Sequence, residues 1–275
     1  MELRLGDLAA YYNQDIYAKS AVSFLSSEAG KEEPFRRLFD AKNALCQKHN
    51  TSIVVSNAID FFLYQLASLN IGEEGEKRYV EFLKRINTAN EGLAALGAKK
   101  IADKSQVFVH SLNNQVCAII EEASKHKTFT IAALEHYPYM FGRHLSSKLN
   151  GKISVKVYPD LLLTNAISDS SLVLLGGEAI SDSGVIAKAG SELCCHAAKR
   201  EGVLAYVCAH SWKYDRKNKM ARLVSHQHKD KTHDATNMYE WIDGREFSGV
   251  ITEHGIFPAK TLSIEIRPYS SWLFV

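Results

Sequence analysis

The chain reads as an α/β protein, with an N-terminal helical domain (residues 1–98) followed by a mostly parallel sheet domain (residues 99–275). Three observations predict this. Apolar residues recur at helical spacing through roughly the first hundred positions. After Gly97, short apolar runs alternate with helical stretches, the order expected of βαβ units. The runs LVLL and AYVCA are continuously apolar, as in strands covered on both faces.

The elements follow in order. Residues 8–26 form a first helix. Residues 33–49 form a second, with Phe35, Leu38, Phe39 and Leu45 at helical spacing. SNAIDFFLYQLASL (residues 56–69) gives a third, with Ser56 or Asn57 able to cap its first turn. Residues 75–96 continue with Tyr79, Phe82, Leu83, Ile86 and Leu93 on one side. Strands are expected at residues 106–110, 128–134, 153–158, 172–176, 204–209 and 249–251.

Composition narrows the function classes. The 275 residues are 46% hydrophobic and 23% charged, which is globular and excludes wholesale disorder. Lysine and arginine (33) nearly balance aspartate and glutamate (31), so no basic field marks a nucleic-acid or membrane partner. MELRLGDLAAYYNQD lacks the basic start and apolar core of a secretory leader. No window approaches the ~20 apolar residues of a spanning helix, and the expected location is cytoplasmic. The five cysteines (Cys46, Cys117, Cys194, Cys195 and Cys208) show no CxxC spacing and read as reduced, partly buried thiols. There is no GxGxxG and no GxxxxGK[ST], which disfavours dinucleotide and P-loop chemistry. HQHKDKTHD (residues 226–234) holds zinc-type ligands. It reads as a lysine-rich connector without an apolar frame, so neither metal nor cofactor is expected.

In open α/β sheets, ligands sit beyond the carboxyl ends of the strands. That rule selects His110, Ser111 and Asn113; Glu135, His136 and Tyr137; Asp160; Gly176, Gly177 and Glu178; and His210 and Lys213. In LVLLGGEAISDSGVIAKAGS, Gly176 and Gly177 would let backbone approach a ligand, and Glu178 stands at the strand end. Lys188 with Gly190 would open the next helix, joining one charge to unpaired backbone N–H groups. The plainer alternative is an ordinary strand-to-helix turn. Ser111 or Asn113 could serve only as a helix cap, and no G-x-S-x-G elbow surrounds Ser111. Glu135 could be an acid–base group or could hold a loop, and Arg143 follows on a helix.

Taken together, VHSLNNQV, LEHYPYMFGR, GGEAISDSGVIAKAG, AHSWKYD with Lys213, and ITEHGIFPAKTL resemble, in order, one family. It comprises the regulatory α, β and δ subunits of translation initiation factor 2B and the isomerases of methylthioribose-1-phosphate and ribose-1,5-bisphosphate. The resemblance covers residues 52–262. It implies a helical domain on a Rossmann-like domain, a homodimer through the latter, larger complexes with related subunits, and a pocket between the domains. The departures are specific. The isomerases carry a catalytic cysteine where this chain has Ser111, and an aspartate where it has Glu178. Their Asn-Lys-Ile-Gly is here Ala187-Lys188-Ala189-Gly190. An arginine expected before the proline is Tyr137, and YYNQDIYAKS offers no counterpart of their phosphate-gripping arginine-glycine segment.

The leading expectation is therefore a regulatory-subunit-like protein that binds a phosphorylated sugar or related metabolite without the family's isomerase activity. Lys188, Lys213 and Arg143 would meet the anion, with Glu135, Gly177 and Gly190 lining the pocket and Glu178, His110 and Ser111 near the hydroxyls. The alternative is an aldose–ketose isomerase of a phosphorylated pentose, with Glu178 as base and His110 or Ser111 as proton partner. A third reading is a structural subunit without a ligand.

Overall fold

The computed structural model describes residues 13–49, 52–64, 66, 70–110, 113–137, 140–149, 151–220 and 239–274. Four helices come first: α1 (Gln14–Ala29), α2 (Pro34–Lys48), α3 (Ile53–Leu63) and α4 (Ile71–Ala98). Their starts are chemically marked. Side chains of Asn13, Ser52 and Asn70 accept from first-turn N–H groups of α1, α3 and α4. Pro34 opens α2, where its missing N–H leaves nothing unpaired. The third helix thus starts three residues earlier than its sequence pattern suggests, because Ser52 rather than Ser56 or Asn57 caps it.

The second part alternates as expected: β1 (Gln106–Val109), α5 (Asn114–Ser124), β2 (Thr130–Leu134), α6 (Phe141–Leu149), β3 (Ser154–Tyr158), α7 (Leu163–Ser168), β4 (Leu172–Ser181), β5 (Gly184–Lys188), α8 (Ser191–Glu201), β6 (Leu204–Cys208), β7 (Tyr239–Asp243), β8 (Gly249–Ile251), β9 (Ile256–Phe257) and α9 (Leu262–Ile266). The main sheet runs β3–β2–β1–β4–β6–β8–β9, parallel except at β9. The order reverses between β1 and β4, the place where open α/β sheets hold ligands beyond the strand ends.

One expectation needs correction. Residues 181–184 are not a strand-to-helix turn. They are the tip of a hairpin in which β4 runs on to Ser181 and returns as antiparallel β5, which then pairs with β7. Neither β5 nor β7 is legible as a strand in the apolar pattern. GVIAK is short, and YEWID is half polar.

A single cluster of buried residues crosses from the helices into the sheet: Leu25, Ile59, Phe62 and Phe82 on one side, Phe108, Val173, Val207 and Trp212 on the other. Phe61 packs edge-on against Trp212 and Trp272, with ring centroids 5.3 and 5.2 Å away. Asn57 Nδ2 donates across the same seam to the carbonyls of Trp212 and Tyr214 at 2.8 and 3.0 Å. The cysteines described are unpaired; burial pushes the Cys195 thiol up to about 12. The segment 226–234 lies outside the described residues. Among the described residues, no helix is long and apolar enough to cross a membrane.

Candidate functional site

Glu178 sits where β4 leaves the parallel sheet, at a register shift between Gly177 and Ala179 that turns its side chain beneath the helical part. It is 4% exposed. Its carboxylate accepts from Gln14 Nε2 at 2.8 Å and Asn113 Nδ2 at 3.4 Å, and faces Lys213 Nζ at 3.6 Å. Lys213 lies in the 3-10 turn after β6 and donates to the Gly177 carbonyl (2.7 Å) and Gln115 Oε1 (3.0 Å). Lys188 ends β5. Its Nζ donates to the Tyr239 hydroxyl at 3.1 Å and stands 4.2 Å from the centre of that ring. Burial pulls the Lys188 ammonium down to about 8; Glu178 works against the shift and Lys213 adds to it.

A second group of polar side chains supports the first. Asp15, in the first turn of α1, accepts from His210 Nε2 (3.0 Å) and Asn90 Nδ2 (2.8 Å). Gln115 Nε2 donates to Asn90 Oδ1 at 3.2 Å, which links this group to Lys213 through Gln115 Oε1. Burial opposes ionisation of Asp15, but His210, Lys213 and the Asn90 amide hold its carboxyl well below the usual range. Ser52 Oγ donates to Gln14 Oε1 at 3.0 Å, so the Gln14 amide is oriented from both ends. Lysines, carboxylates and amides from both parts of the chain thus meet at the ends of β4 and β6.

His110, at the end of β1, forms the other flank. Its Nε2 lies 2.8 Å from the Ala189 carbonyl, which can only accept, so Nε2 carries the proton. Its Nδ1 is buried without a partner. The ring stacks on His136 at 4.5 Å, and burial together with the His136 charge pulls it down to about 4. Gly190 has φ +91°, and a Cβ there would come within 2.9 Å of His110 Cε1.

Other expected residues fall differently. Ser111 lies outside the described residues. Arg143 pairs with Glu135 at 2.6 Å with a largely exposed guanidinium. Among the described residues of the loop after β2, Asp160 accepts from the N–H groups of His136 and Tyr137 at 2.7 and 2.8 Å. Asn113, one of the two residues read as possible caps, does cap α5, accepting from the N–H groups of Gln115 and Val116.

The glycine pair packs against protein. A Cβ on Gly176 would meet Asn113 at 2.4 Å, and one on Gly177 would meet Val207 at 2.8 Å. The helix start after Lys188 is also taken. Glu240, brought alongside by β7, accepts from Glu192 N at 2.6 Å. The N–H of Glu192 in the first turn of the helix after Lys188 is therefore taken by the protein's own carboxylate and not left for an anion. Sequence reasoning missed Gln14, Asp15, Asn90, Gln115 and Glu240. Gln14 and Asp15 stand in the very stretch, YYNQDIYAKS, that shows no arginine-glycine segment.

The family model described as "Initiation factor 2 subunit family" matches residues 20–243. The chain belongs to that family. A translation initiation factor eIF-2B subunit 2-like protein of Pyrococcus abyssi is 28% identical over 205 residues, covering 70% of this chain and 74% of its own. A ribose 1,5-bisphosphate isomerase of Archaeoglobus fulgidus is 24% identical over 221 residues, covering 78% of this chain and 70% of its own. Among solved structures, Pyrococcus horikoshii OT3 eIF-2B aligns with TM-score 0.74 and 21% identity over 90% of this chain and 91% of its own. The eIF2B β subunit of Chaetomium thermophilum aligns with TM-score 0.72 and 15% identity over 92% and 85%. The fold of this initiation factor 2 family member, helices followed by a mostly parallel sheet, is the fold of those neighbours.

Proposed function

We propose that the chain is an initiation factor 2B regulatory-subunit-like protein. It binds a phosphorylated sugar or related metabolite at the ends of β4 and β6, lacks the isomerase activity of its enzymatic relatives, and works through assembly. One observation carries this reading: Lys188 and Lys213 are both at most 2% exposed, Lys213 lies 3.6 Å from the Glu178 carboxylate, and the Lys188 ammonium feels the charge of both. Two ammonium groups held out of water repel each other, and a phosphate dianion beside them would relieve both burial and repulsion.

The case against catalysis is chemical. A serine hydroxyl at Ser111 is a far weaker acid than the thiol of the isomerases, whose ordinary pKa is about 8.5. Glu178 is one methylene longer than their aspartate, and a misplacement of about 1 Å can lower a rate roughly 10²-fold. Its carboxylate is already engaged by Gln14, Asn113 and Lys213. The β2δ2 tetramer reported for related eIF2B subunits of C. thermophilum supports a role in assembly.

Thermal-shift measurements over a panel of pentose and hexose phosphates test the reading. At least one should stabilise the protein, and Lys188→Met should weaken the effect. A flat response across the panel defeats it. Light scattering on the purified chain tests assembly, and a monomer contradicts it.

The similarity to a ribose 1,5-bisphosphate isomerase favours a second reading, an aldose–ketose isomerase in which Glu178 is the base and His110 or Ser111 the proton partner. Deuterium exchange at the first two sugar carbons separates the two. Exchange requires the enzyme; none with any pentose phosphate retires it.

A further inference from the structure

The chain leaves β6 through a run of four residues, each held by a different part of the fold. His210 Nε2 bonds Asp15 of α1 at 3.0 Å, and the Trp212 carbonyl accepts from Asn57 of α3 at 2.8 Å. Lys213 Nζ donates to the Gly177 carbonyl of β4 at 2.7 Å and to Gln115 Oε1 of α5 at 3.0 Å. Ser211 is held by Glu253, from the ITEHG segment at the end of β8. The Glu253 carboxylate accepts from the Ser211 N–H at 2.9 Å and from the Ser211 hydroxyl.

The register explains why a carboxylate stands there. β6 and β8 run parallel with Cys208 beside Ile251, and the Ala209 N–H donates to the Ile251 carbonyl at 3.1 Å. In a continued parallel ladder every second residue donates, so the next rung would join the Ser211 N–H to the Glu253 backbone carbonyl. The Glu253 side chain takes that N–H instead, and the chain turns out of the sheet into the 3-10 turn Ser211–Lys213. Hydrogen bonds between a carboxylate and backbone N–H groups are among the stronger ones. Glu253 is itself braced. Its side chain is 9% exposed, and α4 passes so close that a Cβ on Gly92 would lie 3.1 Å from Glu253 Cβ. On the other flank His254 Nε2 lies 3.4 Å from the carboxylate, with the His254 ring stacked on Tyr269.

The turn matters for what it carries. Lys213, two residues beyond Ser211, is buried and faces the Glu178 carboxylate at 3.6 Å. A lysine ammonium sits on a flexible four-carbon stem, so its place in a buried site depends on where the backbone is held. We propose that Glu253 is a positioning residue for the site at the ends of β4 and β6: it fixes the Ser211–Lys213 turn and so aims the Lys213 ammonium at Glu178. Its consequence for binding rests on the ligand reading given above; the placement of Lys213 does not.

Acetylation of the folded full chain by acetic anhydride tests the placement, with peptide mass spectrometry reading Lys213 against Lys188, a buried control on β5. Glu253→Ala should speed acetylation of Lys213 by about tenfold or more, the worth of a hydrogen bond to a charged group, and leave Lys188 unchanged. Glu253→Gln keeps an acceptor oxygen for the Ser211 N–H and should restore most of the protection. A brace that serves stability alone would quicken both lysines together or neither, and either result overturns the proposal. Should Glu253→Ala fail to fold, Ser211→Ala removes the hydroxyl bond only and should quicken Lys213 by about twofold to tenfold; an unchanged rate there overturns it as well. Ribose 5-phosphate and glucose 6-phosphate, titrated by calorimetry, test the consequence. Whichever binds the unaltered chain should bind Glu253→Ala about tenfold more weakly, and equal affinity overturns the positioning role. No binding to the unaltered chain counts against the ligand reading, and the acetylation ratio then decides the placement of Lys213 by itself.

Discussion

Asp15 Oδ1 and His210 Nε2 meet at 3.0 Å although 195 positions separate them, so the first turn of α1 is bonded to the turn after β6. Both side chains are at least nine-tenths buried. Removing one partner of such a pair leaves the other without compensation, typically at about 3–5 kcal/mol. Asp15→Asn should therefore lower unfolding free energy by about 3 kcal/mol in urea titrations at pH 7. Because the folded carboxyl is held below its ordinary value of 3.8, its stabilisation is complete above that pH and is lost as pH falls further. The unaltered protein should lose stability below that point more steeply than Asp15→Asn.

His110 titrates with the same sign in a different window. Its folded value is drawn from 6.5 to about 4 by burial and by His136. Between those two values the unfolded chain binds more protons than the folded one, so stability rises with pH across the window. The shift corresponds to roughly 3 kcal/mol, fully present above pH 6.5 and lost as pH falls toward 4. Urea midpoints measured from pH 7.5 down to 4.5 should fall in the unaltered protein, and His110→Gln should flatten that fall. An unchanged slope would mean that another group is responsible.

The sequence was most legible where burial has a period. The pattern at Phe82, Ile86 and Leu93 placed α4, and the continuous LVLL placed β4 in the middle of the sheet. Chain direction alone then led to Glu178, Lys213 and His110 at strand ends. What stayed hidden depends on contacts between distant residues. Gln14, Asp15 and Asn90 are polar residues on helices and carry no local signal for a buried role; only folding onto β4 and β6 gives them partners. The hairpin made by β4 and β5 was hidden because SDSG serves equally well as a hairpin tip or as a helix approach. Without it, Lys188 reads as a helix-start residue rather than a strand end covered by Tyr239.

Glu240 offers a test of that correction. Its carboxylate caps α8, which has no side-chain cap of its own, by accepting from the Glu192 N–H in the first turn. Loss of a side-chain cap lowers stability by about 0.5–2 kcal/mol. Glu240→Ala should do so, and Glu240→Gln, which keeps an acceptor oxygen, should lose less. Hydrogen exchange should quicken in the first turn of α8 in Glu240→Ala. Unchanged exchange there would show that the carboxylate is not the cap.

Asn57 tests whether the helices and the sheet form one cooperative unit. Its amide donates to the carbonyls of both Trp212 and Tyr214, beside the Phe61–Trp212–Trp272 ring cluster. Asn57→Ala removes two hydrogen bonds, each worth about 0.5–1.5 kcal/mol, so a loss of about 1–3 kcal/mol is expected. The buried cluster that runs from Leu25 and Phe62 to Val173 and Val207 is continuous across the seam and does not depend on that amide. Unfolding should therefore remain a single transition, with tryptophan fluorescence and far-ultraviolet circular dichroism changing together at a lower midpoint. Two separated transitions in Asn57→Ala would mean that the hydrogen bonds, rather than the shared apolar core, make the two parts unfold together.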